Sequence, residues 1–268
     1  MYPNREVFPN APLALVAAEV RFTDAARLRQ QQTRDEVAIA LEGLFPYAEP
    51  FQRADFNLAG GVPSQAPQHD GMVLSNGSST ETLTIMADSL IYQTTAYRGF
   101  EGLLESMTAA CDTLVAAGIQ PAMRRVGLRY VDEVRVPVTI SDVRQWSRWI
   151  DDRLIGHLAV GPDDVPVTVT QTIATFDLGD DLGFTFRCAA MDEGTIVVSE
   201  HLSRPPVEDG PFFVLDLDGF MDFTSQAAVP LSAKTICDSL SAAHVPCGTA
   251  FQRSITDEAR ALFRGASS

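Results

Sequence analysis

The sequence predicts an α+β protein in which a curved antiparallel sheet packs on helices and which consists of two related halves. Residues 13–22 and 123–136 alternate between apolar and charged side chains, as strands do when one face lies on a core. Residues 99–117 repeat apolar side chains with helical spacing. The order strand, helix, up to four strands, helix occurs twice, over residues 12–117 and 122–252.

The first half, residues 1–120, contains a long connector. Its predicted elements are a strand at 13–22, a helix at 33–44, a hairpin at 82–95 and a helix at 99–117. Residues 46–79 between them are rich in Pro, Gly, Gln, Ser and Asn. This composition predicts a flexible connector that holds one or two short strands.

The second half, residues 121–268, repeats this order. Its predicted elements are a strand at 123–136, a helix at 141–154, strands at 167–176, 182–190, 195–200 and 212–223, and helices at 231–244 and 256–263. Pro246 predicts a kink or a restart of the helix that precedes it. Only a short turn separates the last helix of the first half from residue 123, so we expect the halves to form one compact unit.

Composition limits the class of protein. The 268 residues are 46% hydrophobic, which suits a large core, and no run approaches the roughly 18 apolar residues of a membrane helix. The N-terminal residues lack the features of a signal peptide, so we expect a cytoplasmic protein with no membrane contact. The four cysteines are widely spaced without a Cys-x-x-Cys pair and are expected to be free buried thiols.

The charge of the chain bears on its partners. Its formal net charge is -15 and its pI is about 4.5. Nucleic-acid binding depends on Lys and Arg that neutralise phosphates, so a nucleic-acid partner is not expected. The acidic surface favours a protein partner with a basic surface.

Four segments of the sequence resemble those of a known family. They are NAPLALVAAEVRF, RRVGLRYVDEV, FFVLDLDGF and, near the C-terminus, ITDEARALF. In this order, and over nearly the whole chain, they resemble a sporadically distributed family of uncharacterised bacterial proteins, which has Asn where this chain has Asp132. The resemblance implies shared architecture. At the level of fold, each half also resembles the duplicated unit of the TATA-binding-protein-like and helix-grip folds, and this analogy implies no function.

The central strand and the strands expected beside it supply the candidate binding residues. The set consists of Arg125, Arg129, Tyr130 and Asp132 on the central strand, with Glu19, Asp216 and Asp218 on other strands. Arginine suits carboxylate or phosphate groups. The alternative is structural: Arg129 would pair with Glu19, and Arg125 or Arg135 with Asp216 or Asp218, which would fix the strand register.

No catalytic, metal or cofactor motif accompanies these residues. Asp216, Asp218 and Asp222 share one face of their strand, and the Asp-x-Asp-Gly sequence at 216–219 resembles the opening of a calcium loop, but the downstream glutamate is missing. The four histidines, which are His69, His157, His201 and His244, are not spaced as metal ligands within a helix or strand, and His244 is expected to be a packed residue. No nucleophile elbow, phosphate loop or His-Glu-x-x-His motif is present. We therefore predict no cofactor and no catalytic residue.

The sequence favours a non-enzymatic binding or interaction protein of a bacterial cytoplasm. Its curved sheet, or the groove between its halves, would accept a protein segment or a small ligand, as in an inhibitor or antitoxin-like component of a stress or defence module. The alternative is a small-molecule sensor or an enzyme that uses the polar sheet face. A deep pocket would favour the alternative, whereas a sheet face closed by ion pairs would favour the interaction protein.

Overall fold

A single antiparallel sheet organises the chain. The computed structural model describes residues 6–53, 68–162, 164–167, 169–225 and 227–265. The strands are β1 Leu13–Phe22, β2 Tyr47–Arg53, β3 Gln68–Ser75, β4 Glu81–Met86, β5 Ser89–Thr94, β6 Ala122–Val134, β7 Thr170–Asp177, β8 Leu182–Met191, β9 Phe212–Asp222 and β10 Val229–Pro230. Nine follow the order β2-β3-β4-β5-β1-β6-β9-β8-β7, and β10 pairs with the start of β6.

The two opening strands lie side by side at the centre of the sheet. Strand β1 pairs with β6, with Val20 opposite Val126 and Val16 opposite Tyr130. On each side, the next neighbour is the last long strand of the same half, which is β5 beside β1 and β9 beside β6. This order is the one that a duplication predicts, and the duplication itself stays a prediction. The α+β class, with helices packed on a large antiparallel sheet, is confirmed.

The helices cover one face of the sheet, which we call the helix-covered face; the other is the open face. They are α1 Gln31–Leu41, α2 Phe100–Ala116, α3 Ala233–Ser254 and α4 Asp257–Phe263. The Ser232 side chain caps the start of α3 by accepting a hydrogen bond from the Thr235 N–H. The core between helices and sheet includes Leu128, Met107 and Phe213, each at most 1% exposed. Within the described ranges, no helix has the length and apolarity needed to cross a membrane.

Gly219 on β9 allows α3 to lie close to the sheet. A Cβ at this position would be 2.5 Å from the Ala243 carbonyl oxygen, which belongs to the helix backbone. The absence of a side chain therefore sets the distance between α3 and β9, and with it the position of the residues that follow Ala243.

The helix predicted over 141–154 is wrong. The segment instead forms 3-10 helices over Val143–Arg148 and Asp152–Leu154. The side chains of Asp142 and Asp151 each accept a hydrogen bond from a backbone N–H two residues later, so each starts its own short helix.

The strand predicted over 195–200 is also wrong, because that backbone is irregular. The Ile196 N–H donates to the Glu133 carboxylate rather than to a neighbouring strand. The predicted restart of the helix at Pro246 is absent as well, since α3 continues through it. Buried residues on both sides of Pro246, including Leu240 and Cys247, hold the helix against the sheet.

The predicted connector at 46–79 contains two strands, in agreement with the one or two that the sequence indicated. Its two ends form β2 and β3, which pair from Tyr47 opposite Ser75. Backbone pairing overrides the Pro- and Gly-rich composition, because both strands extend the sheet that β4 and β5 begin. The prediction of flexibility at 54–67 lies outside the described residues.

Candidate functional site

The seven candidate residues divide between the two faces of the sheet. Glu19, Arg125, Arg129, Asp216 and Asp218 come together on the open face through ion pairs. Tyr130 and Asp132 instead line a cavity on the helix-covered face. The division follows from the period of two along β6, because residues 130 and 132 point away from residues 125 and 129.

The charged groups of the open face neutralise one another. The Arg125 guanidinium is 3.3 Å from Glu19 and 3.2 Å from Asp218, and lies over the ring of Phe220. Arg129 donates two hydrogen bonds to Asp216, at 2.7 and 2.8 Å. This Asp216 hydrogen bond, opposed by burial, raises the pKa of Arg129. With the charges paired in this way, both candidate arginines already have carboxylate partners within the protein.

The predicted pairs are confirmed in part. Arg125 pairs with Asp218, as expected, but the prediction that Arg129 pairs with Glu19 is wrong. Glu19 lies opposite Gly127 in the sheet, where Arg125 and Arg21 reach its carboxylate. Arg129 is turned towards β9 by its paired contacts with Asp216.

A segment over residues 194–204 crosses one end of the open face and is attached to Glu133. The buried Glu133 carboxylate accepts hydrogen bonds from Arg204 at 2.6 Å, Arg135 at 2.7 Å and the Ile196 N–H at 2.9 Å. Burial alone raises the pKa of Glu133, but these donors outweigh it and hold the pKa below its usual value. Of the two arginines that could pair with Asp216 or Asp218, Arg125 does so, whereas Arg135 binds Glu133 instead.

A cavity of about 590 Å³ lies on the helix-covered face, between β6, the start of α2, α3 and the N-terminal residues. This volume is typical of small-molecule sites. The apolar part of its wall comes from Val7, Phe8, Leu13, Phe100, Leu217 and Phe251. The polar part comes from Glu6, Tyr97, Arg98, Tyr130, Asp132 and His244.

Tyr130 and His244 connect the sheet to the helices on one side of the cavity. The Tyr130 hydroxyl is 2.9 Å from Nδ1 of His244 and 3.2 Å from the Tyr97 hydroxyl. The His244 ring stacks on Phe100, with ring centroids 4.3 Å apart. His244 is a packed residue, as predicted, but it lies in the middle of α3 rather than at its end.

Asp132 is the most unusual group of the cavity wall. It is 4% exposed, and burial raises the pKa of its carboxyl group to about 8. No ion pair or hydrogen bond to this carboxyl group is present within the described part of the chain. Arg98, the arginine of the cavity wall, is instead engaged by Glu81 at 3.0 Å. A carboxylic acid that is both buried and unpaired costs stability when it ionises.

The outer wall of the cavity is the N-terminal segment, residues 6–11. Glu6 pairs with Arg264 at 2.5 Å and with Arg260 at 3.4 Å. The Phe8 ring is buried and packs edge-on against Phe251 and Phe263. These contacts hold the segment against α3 and α4, so that it closes one side of the cavity.

Burial limits the reactivity of the cysteine in the cavity wall. The Cys247 thiol is fully buried, and this burial raises its pKa, so it does not supply a reactive thiolate at neutral pH. All four cysteines are free, as expected, but Cys237 is only partly buried, whereas the other three are buried as predicted. Among the residues that the structure describes, no group of three or more His, Cys, Asp and Glu side chains is arranged to hold a metal ion.

The N-terminal segment and Tyr97 are the parts of the site that the sequence did not indicate. Both reach the cavity through tertiary packing, and residues 6–9 and Tyr97 lie outside the four segments that resemble a known family. Comparison of the chain with protein-family models and with curated proteins gives no match.

Proposed function

We propose that the protein is a non-enzymatic binding protein whose cavity between β6 and α3 takes a small organic ligand. The observation that carries this proposal is the buried carboxyl group of Asp132 in the wall of a cavity of about 590 Å³. Apolar walls with a few convergent polar groups are typical of ligand sites.

The ion pairs of the open face also favour the cavity as the ligand site. The arginines that the sequence favoured for ligand binding already bind Glu19, Asp216 and Asp218. Displacing these partners would leave buried or half-buried carboxylates without a counter-charge. The cavity requires no such exchange, because Asp132 has no competing cation among the described residues.

A cytoplasmic location is part of the proposal. The four free thiols support a reducing compartment, where disulfides are rare.

A pair of tryptophan substitutions tests the site. Ala11 is exposed and lines the cavity, so Ala11→Trp is expected to fill its mouth. Ala40, exposed on α1 and outside the cavity wall, gives the matched control Ala40→Trp. Native mass spectrometry of each protein, purified from its own cells, measures retained small molecules. We expect a ligand in the wild type and in Ala40→Trp but not in Ala11→Trp; equal retention in both variants would contradict the proposal.

A further inference from the structure

We infer that the cavity selects ligands with a cationic nitrogen group, such as an amidinium or ammonium, on an apolar body, and that Asp132 binds this group. The inference rests on the proposed function and specifies its ligand class.

The first argument for a cationic ligand is the position and burial of Asp132. Asp132 lies on β6 opposite Leu13 of β1 and Leu215 of β9, so it belongs to the interior of the sheet, with a strand on each side. It is 4% exposed and lines the cavity. A ligand that carries a positive charge and N–H donors would supply the ion pair and the hydrogen bonds that the described protein residues do not.

The second argument is that the other charged groups of the cavity wall already have partners in the protein. Arg98 is engaged by Glu81, and Glu6 by Arg264 and Arg260, so these charges are already matched. The apolar walls would make an unmatched anion unfavourable beside Asp132. A cation on an apolar body therefore matches the cavity better than an anion does.

Release of a proton from Asp132 when the ligand binds would identify this interaction. Because burial raises the pKa of Asp132 to about 8, its carboxyl group is mostly protonated at pH 7 without ligand. A cation would bind the ionised form and release close to one proton at pH 7, but little at pH 9. The other titratable groups that face the cavity are Glu6, Tyr97, Arg98, Tyr130, His244 and Cys247. Comparison with Asp132→Asn separates their contribution from that of Asp132.

The probes are three naphthalene compounds that differ in the charge of one group: 2-naphthamidine, 2-naphthamide and 2-naphthoate. Isothermal titration calorimetry of the full chain, in two buffers with different ionisation enthalpies, measures affinity and proton release. We expect 2-naphthamidine to bind best, with an affinity that rises about tenfold from pH 6 to pH 7 and levels off above pH 8.

Three variants locate the binding. Asp132→Asn is expected to weaken 2-naphthamidine by at least about thirtyfold, because it removes the charged partner. Asp112→Asn changes an exposed acid outside the cavity wall and should leave binding unchanged. Ala11→Trp should abolish binding. If Asp132→Asn does not fold, proton release by the wild type still tests the assignment.

The outcomes separate the inference from the proposed function. If 2-naphthamide or 2-naphthoate binds as tightly as the amidine and is lost in Ala11→Trp, the cavity is a ligand site but the cationic class is wrong. Binding of 2-naphthamidine without proton release at pH 7 also overturns the role of Asp132. If none of the three compounds binds and native mass spectrometry finds no retained molecule, the proposed function fails as well.

Discussion

The hydroxyl of Tyr130 lies 2.9 Å from Nδ1 of His244, and this contact joins the central strand β6 to helix α3. The His244 ring stacks in turn on Phe100 of α2. Tyr130 and His244 therefore connect the sheet to both long helices at the wall of the cavity.

Loss of the Tyr130 hydroxyl should destabilise this junction. We expect Tyr130→Phe to lower the free energy of unfolding by about 1 kcal/mol, because it removes a hydrogen bond but keeps the ring. Equilibrium unfolding in urea measures this change. Tyr47 is exposed, and Tyr47→Phe should change the value by less than about 0.5 kcal/mol. Similar losses in both variants would contradict the role of the hydroxyl.

Ionisation of Asp132 should make stability depend on pH. Its pKa is about 8 in the folded protein against an ordinary value of 3.8, so the folded state binds more protons between these values. The protonated group contributes fully to stability below about pH 4, and this contribution is lost as the pH rises to about 8. Over this range, the free energy of unfolding falls by at most about 1.4 kcal/mol per pH unit.

Asp132→Asn cannot ionise and isolates this effect. We expect the variant to gain stability relative to the wild type as the pH rises from 5 to 8, as measured by urea unfolding at several pH values. A difference between the two proteins that does not change with pH would show that Asp132 keeps an ordinary pKa.

The attachment of residues 194–204 should depend on Glu133. We expect Glu133→Gln to lower the free energy of unfolding by about 3 kcal/mol, because Arg135 and Arg204 lose their shared carboxylate. Hydrogen exchange should increase over residues 194–204 more than elsewhere. Glu193→Gln, at an exposed position beside this segment, is the control; a uniform increase along the chain would contradict a local attachment.

The ion pair between Arg129 and Asp216 should be structural. Arg129→Met leaves the buried Asp216 with Arg187 at 3.4 Å, and we expect a loss of about 1 to 2 kcal/mol in the free energy of unfolding. Arg29 pairs with Asp24 at an exposed position, so Arg29→Met should cost clearly less than Arg129→Met. Thermal or urea unfolding compares the two, and no loss in Arg129→Met would argue against a structural role.

Close packing of α3 on β9 should make Gly219 intolerant of a side chain. We expect Gly219→Ala to cost at least about 2 kcal/mol, because its Cβ would collide with the Ala243 carbonyl oxygen. Gly43 has no neighbouring atom within 4 Å of such a Cβ, so Gly43→Ala should be tolerated. Urea unfolding of both variants measures the difference, and equal stability would disprove the collision.

Much of the fold could be predicted from periodicity alone. The boundaries of β1 match the alternation of residues 13–22, and α2 lies within one residue of the helical pattern at 99–117. These predictions succeed because one buried face imposes a regular spacing on the sequence. The helix predicted at 141–154 failed because capping by Asp142 and Asp151, a local effect, divides the segment.

The candidate site could be predicted only in part. The sequence indicated Tyr130 and Asp132, since both lie on the most clearly patterned strand. It grouped them with Arg125 and Arg129, whereas the period of two already separates the two pairs. Tyr97 and the N-terminal residues 6–11 could not be found from the sequence, because no local pattern brings them to the cavity.

The sequence by itself determined the α+β class and the central strands, because these follow from alternation along single segments. The tertiary structure alone decided which charges pair and which carboxyl group remains buried without a cation. Pairing depends on strand register, as between Arg129 and Asp216, and burial depends on helices from distant parts of the chain. Neither the register nor the burial is encoded in the spacing of residues along one strand.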